Sequence, residues 1–330
     1  MRCPMQFDSH PRLRRLLLPF LLVAALLCPA HATNTSPKEL LAAGEADKAV
    51  QDLELQVSRS ITGAESYNLL CRAYFMMDEW DRGIPACERA IKLDPQKSLY
   101  HLWLGRIYGE KAARAGLFSA AGLAKKVRNS FERAVELDPR SWEARTDLAE
   151  FYLEAPSIVG GGQDKARAQA DALFAFNPAM AHWVLARIAG KNKDLTAAER
   201  EYKAAIEASH GTAQNWLHLA QFLAHAKRLD EMEQALRTME SSPVDRSDSL
   251  MDAASLLLHN GRDYSLALRL LRRYLVSPAE EGPAFKAHDL LGQLLEKQGD
   301  RRAAAEEYRA ALVLSHTFNR AREDLKRVEH

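Results

Sequence analysis

The segment from Ala64 to Pro95 constrains the fold more than any other stretch, because it has the pattern of two short amphipathic helices joined by a turn. One face of its first half carries side chains at helical spacing: Tyr67, Leu70, Cys71 and Tyr74. Smaller side chains follow on the second half: Gly83, Cys87 and Ala90. Two helices of this length cannot bury their apolar faces alone, so the segment predicts further pairs stacked beside it.

The same spacing returns far along the chain, from Phe285 onward. Its first helix carries His288, Leu291, Gly292 and Leu295, and its second carries Gly299, Ala304, Tyr308 and Ala311. Small residues recur where helices would cross: Gly105, Ala198, Gly292 and Ala304. Such residues let two helix axes approach to about 8–10 Å, while large side chains fill the grooves beside them. We therefore predict an all-α fold, an α-solenoid of stacked antiparallel helix pairs.

Both segments resemble the tetratricopeptide repeat, whose period is about 34 residues and whose pattern asks for W, L-G, Y, A, F, A and P. Looser copies of the pattern begin at Ser98, Trp142, Ala179, Ala213 and Ser247. The resemblance implies a superhelix of about seven repeats over residues 64–318. It also implies an interaction role, but it does not name the partner.

Four further segments flank or interrupt this predicted superhelix. Residues 33–63 are expected to form a degenerate first repeat, with a second helix from Ala46 to Ser58. Residues 319–330 have the pattern of an amphipathic capping helix. The Ala-rich insertion near 109–127 predicts lengthened helices or a short extra turn. The Pro/Gly-rich insertion near 155–163 predicts a long turn between two helices.

The N-terminal 32 residues have the features of a secretory signal peptide. Four arginines precede an apolar run, Leu16 to Leu27, and Ala30 and Ala32 offer a cleavage site. The run falls short of the ~20 residues that span a bilayer. We therefore expect cleavage near Ala32, a periplasmic or secreted protein, and no membrane span after cleavage. Lipid attachment through Cys28 is the alternative, disfavoured because the bulky Leu27 precedes it where lipoproteins favour a small residue.

The charge balance bears on the class of partner. The chain has 45 basic and 44 acidic residues and a net charge of +1, with 47% hydrophobic and 27% charged residues. Binding to nucleic acid or to an anionic membrane requires a basic excess on one face, which this balance disfavours. The composition is that of a globular protein with an ample core.

Export changes how the cysteines are interpreted. Cys3 and Cys28 lie in the predicted leader, so only Cys71 and Cys87 remain in the mature chain. An oxidising compartment permits one disulfide between them, since they fall on facing helices of one repeat. The alternative is a pair of buried thiols that act as small core residues.

Signatures of catalysis were sought without result. The sequence contains no HExxH, no G-x-S-x-G and no paired CxxC. His101, His182 and His288 recur at one repeat position, which usually holds a packing side chain and is interpreted as such here. The glycines before Gln163 could cradle an anion at a helix N-terminus, but the P-loop motif is absent and a plain turn is favoured. We predict no enzyme activity, no cofactor and no metal.

The resemblance implies a concave groove lined by the first helix of each repeat, in which extended or helical peptides bind. In this sequence's own register, the groove positions are Asn68, Arg72, Phe75, Met76, Leu102, Arg106, Glu143, Thr146, Glu150, Trp183, Arg187, Leu217 and Gln221. Arginine and tryptophan are frequent interface hot spots. The set departs from the Lys/Asn carboxylate clamp of chaperone-tail-binding repeats, so that ligand is disfavoured.

Three functions remain open at this point. The first is an exported scaffold that binds a protein or peptide in its groove, in assembly or maintenance of the cell envelope. The second is an accessory subunit or enzyme whose site is formed by the 109–127 insertion and the 155–163 loop. The third is self-association through repeat faces.

Overall fold

A computed structural model describes residues 35–59, 63–278 and 282–330, except the side chains of Leu117 and Phe118. The predicted signal peptide, residues 1–32, lies outside the described residues. Within them the regular secondary structure is entirely helical. No helix among the described residues is long and apolar enough to cross a bilayer.

Seventeen α-helices follow one another in the described part of the chain. They are α1 (Pro37–Ala42), α2 (Ala46–Ser58), α3 (Ala64–Met76), α4 (Trp80–Leu93), α5 (Ser98–Ala113), α6 (Leu117–Leu137), α7 (Trp142–Glu154), α8 (Gln163–Leu173), α9 (Pro178–Lys191), α10 (Leu195–Ala208), α11 (Ala213–His225), α12 (Leu229–Glu240), α13 (Asp248–His259), α14 (Tyr264–Leu275), α15 (Ala284–Lys297), α16 (Arg301–Leu314) and α17 (Asn319–Glu329). A 3-10 turn, Ser157–Val159, lies between α7 and α8.

Consecutive helices pack as pairs joined by short turns, and each pair packs against the next. The odd-numbered helices from α1 to α15 are the first members of the pairs, and α17 packs on α16 with Ala321 and Val328 buried. The predicted all-α solenoid of stacked pairs is therefore confirmed. Helix α2 also has the bounds that the sequence pattern predicts.

Glycine permits the close helix packing that the sequence pattern predicts. A Cβ atom on Gly105 would overlap the ring of Phe131 in the second helix of the same pair. A Cβ atom on Gly292 would lie 2.5 Å from the ring of Tyr308, again within one pair. At Gly105 and at Gly292, the ring therefore occupies the space that the side chain of any larger residue would need.

Successive pairs are joined by a recurring hydrogen bond between tyrosine and glutamate. In each case a tyrosine hydroxyl of a first helix donates to a glutamate on the second helix of the preceding pair: Tyr74 to Glu54 (2.6 Å), Tyr108 to Glu88 (2.7 Å) and Tyr152 to Glu132 (2.9 Å). Burial raises the pKa of each tyrosine, and the glutamate raises it further. The hydroxyls therefore stay protonated and keep donating.

The two insertions have different structures. The first lengthens the α5–α6 pair, whose helices have 16 and 21 residues. The second is an exposed turn held by its own neighbours: Arg128 donates to the carbonyl of Val159 (3.2 Å), and Lys165 donates to that of Gly160 (2.9 Å). The loop's carbonyls thus engage the nearby cations, which favours the predicted plain turn over an anion cradle.

Two cysteines in the described part of the chain are joined. Cys71 in α3 and Cys87 in α4 form a disulfide, with Cα atoms 5.1 Å apart and both side chains fully buried. This distance lies within the usual range for a disulfide. The bond links the two helices of one pair across a buried face.

The first two helix pairs also contact the last repeat, a contact that the sequence pattern does not predict. The Asp47 carboxylate accepts hydrogen bonds from the backbone N–H (3.0 Å) and Nδ1 (2.9 Å) of His316. Lys286 of α15 pairs with Asp78 in the α3–α4 turn (3.0 Å). Gly44 in the α1–α2 turn packs directly on Ala284. We call these six residues the closure contact: Gly44, Asp47, Asp78, Ala284, Lys286 and His316.

Candidate functional site

The first helices of the pairs line three adjoining cavities. Cavity A, about 360 Å³, lies between α3, α5, α7 and the α12–α13 linker. Cavity B, about 320 Å³, lies between α11, α13 and the start of α15. Cavity C, about 830 Å³, lies between α7, α9 and α11 and reaches α13. Arg246 lines both A and B, while His218 and Gln221 line both B and C, so the three form one continuous surface.

Cavity A is built on stacked arginines and tryptophans. The guanidinium groups of Arg72 and Arg106 each lie 5.0 Å from the ring centroid of Trp103. The guanidinium of Arg246 lies 6.0 Å from the ring of Trp142. Phe75 packs edge-on against Trp103, with ring centroids 5.3 Å apart. These contacts hold flat cations and aromatic faces in fixed positions.

Charged groups on the inner helices pair with one another across helix boundaries. Arg106 of α5 donates from Nε to the carboxylate of Asp147 on α7 (2.6 Å). Arg187 of α9 reaches Glu150 (3.0 Å) and Glu154 (3.2 Å), both on α7. The charges at the predicted groove positions therefore also connect successive repeats. These ion pairs hold the charges of Arg106 and Arg187 in fixed orientations.

Cavity C combines aromatic walls with this ion-pair network. Trp183, Tyr202 and Phe222 supply the apolar faces, and Arg187 stacks on Trp183 with 5.6 Å between guanidinium and ring centroid. Burial raises the pKa of Tyr202 to about 12. Burial also raises the pKa of Glu150, although the Arg187 charge opposes that shift.

His218 lies at the junction of cavities B and C. Its ring packs on Trp183, with centroids 5.4 Å apart, and its Nδ1 atom is shielded from water with no hydrogen-bond partner among the described residues. Burial, with smaller contributions from the charges of Arg187 and Arg246, lowers the pKa of His218 to about 3. The ring is therefore neutral over the physiological range of pH.

The structure brings many of the predicted groove residues together. Those that line cavities A, B or C are Arg72, Leu102, Arg106, Glu143, Glu150, Trp183, Arg187, Leu217 and Gln221. Asn68, Met76 and Thr146 are instead almost fully buried between helices. Thr146 donates its hydroxyl back to the carbonyl of Trp142 (3.0 Å).

Several lining residues were missed by the sequence interpretation. Trp103 and His218 each follow a predicted position by one residue, and both contribute ring faces to the surface. Arg246 belongs to the α12–α13 linker, between the segments assigned to two repeats, so no groove position falls on it. An aromatic or histidine next to a predicted groove position was the signal available for the first two.

The recurring histidines bond locally. Nδ1 of His182 contacts Glu201 (2.8 Å) and Nδ1 of His288 contacts Glu307 (2.6 Å), in each case on the second helix of the same pair. His101 bonds through Nε2 to the carbonyl of Pro95 (3.0 Å). The described part of the chain contains no group of three His, Cys, Asp or Glu side chains arranged to hold a metal ion.

Comparisons with known proteins agree with this architecture. Residues 285–315 match the family model of the tetratricopeptide repeat. No curated protein matches the sequence. The fold is similar to that of yeast Tom70, with a TM-score of 0.53 and 16% identity over 88% of this chain, which spans 59% of that Tom70 chain.

Two bacterial tetratricopeptide-repeat structures show weaker similarity. A protein of this type from Thermus thermophilus has a TM-score of 0.47 and 17% identity, covering 57% of this chain and 95% of its own. A repeat protein from Parabacteroides merdae has a TM-score of 0.38 and 15% identity, covering 81% of this chain and 99% of its own. The match of residues 285–315 places a tetratricopeptide repeat near the C-terminus, and the similarity to Tom70 agrees with the stacked-helix fold.

Proposed function

We propose that this chain, which has the fold of tetratricopeptide-repeat proteins, is a scaffold that binds a protein or peptide on its inner surface. Proteins of this type generally bind other proteins. The observation that carries the proposal is the continuity of cavities A, B and C through Arg246, His218 and Gln221. A surface of this kind suits an extended segment better than a single small molecule.

The residue types on this surface are those of a binding interface. Trp103, Trp183, Arg72 and Arg187 have rings or guanidinium groups stacked in place before any partner arrives. Side chains of these types often dominate binding free energy, and preorganisation lowers the entropic cost of association. Cavity C falls within the roughly 300–1,000 Å³ range of ligand pockets. It is large enough to receive a bulky side chain of the partner.

We further propose that the protein acts outside the cytoplasm, in assembly or maintenance of the cell envelope. The support is the signal-peptide pattern of residues 1–32 together with the Cys71–Cys87 disulfide, since such bonds persist in oxidising compartments. Mass spectrometry of the protein from its native cells tests this location. A mature chain beginning at Thr33 would support export, and a chain that retains residues 1–32 would contradict it.

Affinity capture with two tryptophan variants tests binding on the inner surface. Gln221 lines cavities B and C, whereas Gln234 is exposed on the second helix α12. The tagged wild-type chain, Gln221→Trp and Gln234→Trp would be used to capture partners from native cells. We expect a partner that is retained by Gln234→Trp and lost by Gln221→Trp, with unchanged helical circular dichroism. Equal retention by both variants would contradict binding at this surface.

No observation favours the enzyme alternative over the scaffold. The 155–163 loop is exposed at Ile158 and uses Arg128 and Lys165 to hold its own carbonyls. Helix α6 does reach this loop, as the alternative requires, through Arg128, which donates to the carbonyl of Val159.

A further inference from the structure

We propose that the closure contact is a gate that opens and closes, and that its opening admits the partner to the inner surface. This inference rests on the proposed function, because a gate has a role only if something binds inside. Three features of the structure support it: a glycine that marks the contact, the weakness of its polar bonds, and its direct connection to cavity B.

Gly44 marks the contact. It has a positive φ of 71° in the turn between the helices of its pair. Equivalent turns later in the chain carry Asp78, Lys193 and Lys227 at φ values of 60°, 62° and 62°. The turn itself therefore accepts a side chain, although at some strain. Glycine is required at position 44 by its neighbour, because a Cβ atom there would overlap the backbone of Ala284.

The polar bonds of the contact are of a kind that breaks readily. One partner of each bond is exposed, His316 by 74% and Asp78 by 40%, whereas Asp47 and Lys286 are 11% and 30% exposed. Exposed ion pairs contribute little to stability and are screened by salt. Consecutive helix pairs, by contrast, pack along their length, while α2 and α16 make only a small contact. Buried side chains of α1 and α2 belong to one hydrophobic cluster with Phe285 and Tyr308, so opening the contact also separates part of that cluster.

The contact is also part of the binding surface. Lys286 lines cavity B and at the same time pairs with Asp78 across the closure contact. Gly282 and Pro283, which precede α15, line the same cavity. Any movement that separates Lys286 from Asp78 therefore changes one wall of cavity B. Opening the gate and reshaping the binding surface are one event.

Gly299 provides a matched control for Gly44. It occupies the equivalent turn of the last repeat, with a φ of 87°, and no atom lies within 4 Å of a Cβ placed there. Gly44→Lys and Gly299→Lys thus impose similar backbone strain. Only the first of them inserts a side chain into the closure contact.

Access to the inner surface can be measured through one engineered thiol. In the full chain with Cys3→Ser and Cys28→Ser, Gln221→Cys is the reactive site, since Cys71 and Cys87 are bonded. Its reaction with a polyethylene glycol maleimide of about 5 kDa is compared with its reaction with N-ethylmaleimide. The bulky reagent reports the open population, and the small reagent enters either state.

We expect Gly44→Lys to raise the reaction rate of the thiol with the bulky reagent by about fivefold or more, and to change its rate with the small reagent by less than about twofold. Gly299→Lys should leave both rates unchanged. In the wild-type background, added salt should also speed the bulky reagent, a test that needs no variant at the gate. Equal rates in all three chains, or a wild-type rate independent of salt, would overturn the gate. If partner capture still depended on Gln221, the binding surface would stand without it.

Discussion

Replacing Gly105 by alanine should destabilise the chain, whereas the same replacement at Gly109, one turn later on helix α5, should stabilise it. A Cβ atom on Gly105 would overlap the ring of Phe131. A Cβ atom on Gly109 would meet no other atom within 4 Å. The two variants therefore make the same chemical change on one helix and differ only in what the new methyl group contacts.

The magnitude follows from two opposing effects. Alanine is favoured over glycine in a helix interior by about 0.8–1 kcal/mol. Overpacking a core by one methyl group costs about 1–3 kcal/mol. Gly109→Ala gains the first effect alone, so we expect about 1 kcal/mol of added stability. Gly105→Ala has the same gain in helix stability but also carries the overpacking cost, so the two variants should differ by about 1–3 kcal/mol.

Urea denaturation followed by circular dichroism at 222 nm measures both changes. A third variant, Gly105→Ala combined with Phe131→Leu, removes the ring that the methyl group would overlap. The cost of Gly105→Ala should therefore be smaller in the Phe131→Leu background than in the wild-type background. Equal stability changes at Gly105 and Gly109 would refute the claim that the two helices of this pair approach through Gly105.

Three other predictions concern single contacts. Burial raises the pKa of the Asp289 carboxyl to about 6 in the folded chain. The stability that this raised pKa contributes is fully present below about pH 4, the ordinary pKa of aspartate, and is lost as the pH rises through 6. In urea unfolding, Asp289→Asn should therefore be more stable than the wild type by on the order of 2 kcal/mol at pH 7.5 and no more stable at pH 4. A difference in stability that is the same at both pH values would contradict this. Reducing Cys71–Cys87, which are 16 residues apart in the sequence, should cost about 3 kcal/mol in urea unfolding, and no change on adding dithiothreitol would argue against the bond. Tyr152→Phe removes the donor to Glu132 and should cost about 1–2 kcal/mol in urea unfolding, and an equal cost in a Glu132→Ala background would count against the hydrogen bond.

The parts of the fold that depend on local pattern could be predicted from the sequence. Helix α2 has the predicted bounds, and Gly105 and Gly292 lie where the chain brings two helices together. These features follow from spacing within one repeat, and that spacing is visible in a single stretch of sequence. The exposed turn at 155–163 follows equally from its own proline and glycines.

The arrangement of charges on the inner surface could be predicted only in part. The repeat register places Arg106, Glu150 and Arg187 on first helices, and the structure agrees with that placement. The register alone does not predict that Arg106 pairs with Asp147 or that Arg187 pairs with Glu150, because pairing depends on the rotation between neighbouring repeats. Asn68 and Met76 are buried between helices, although the repeat register assigns them to the groove.

The closure contact is the feature least visible in the sequence. Small rotations between repeats add up along the whole array, and only their sum brings Asp47 close to His316. The glycine at position 44 was the one indication in the sequence, because other turns of the same kind hold Asp78 or Lys193. Without coordinates, however, a glycine in a turn has an ordinary explanation in backbone freedom.

Cross-linking with a carbodiimide tests most directly whether the stacked pairs bring the two ends of the array together. The reagent joins a lysine amine to a carboxylate without a spacer, so the two groups must come into direct contact. Lys286 and Asp78 lie 3.0 Å apart across the closure contact, and Lys191 and Glu154 lie 2.8 Å apart between adjacent inner helices. We expect both cross-links within single chains by mass spectrometry. Recovery of the Lys191–Glu154 cross-link without the Lys286–Asp78 cross-link would contradict this expectation.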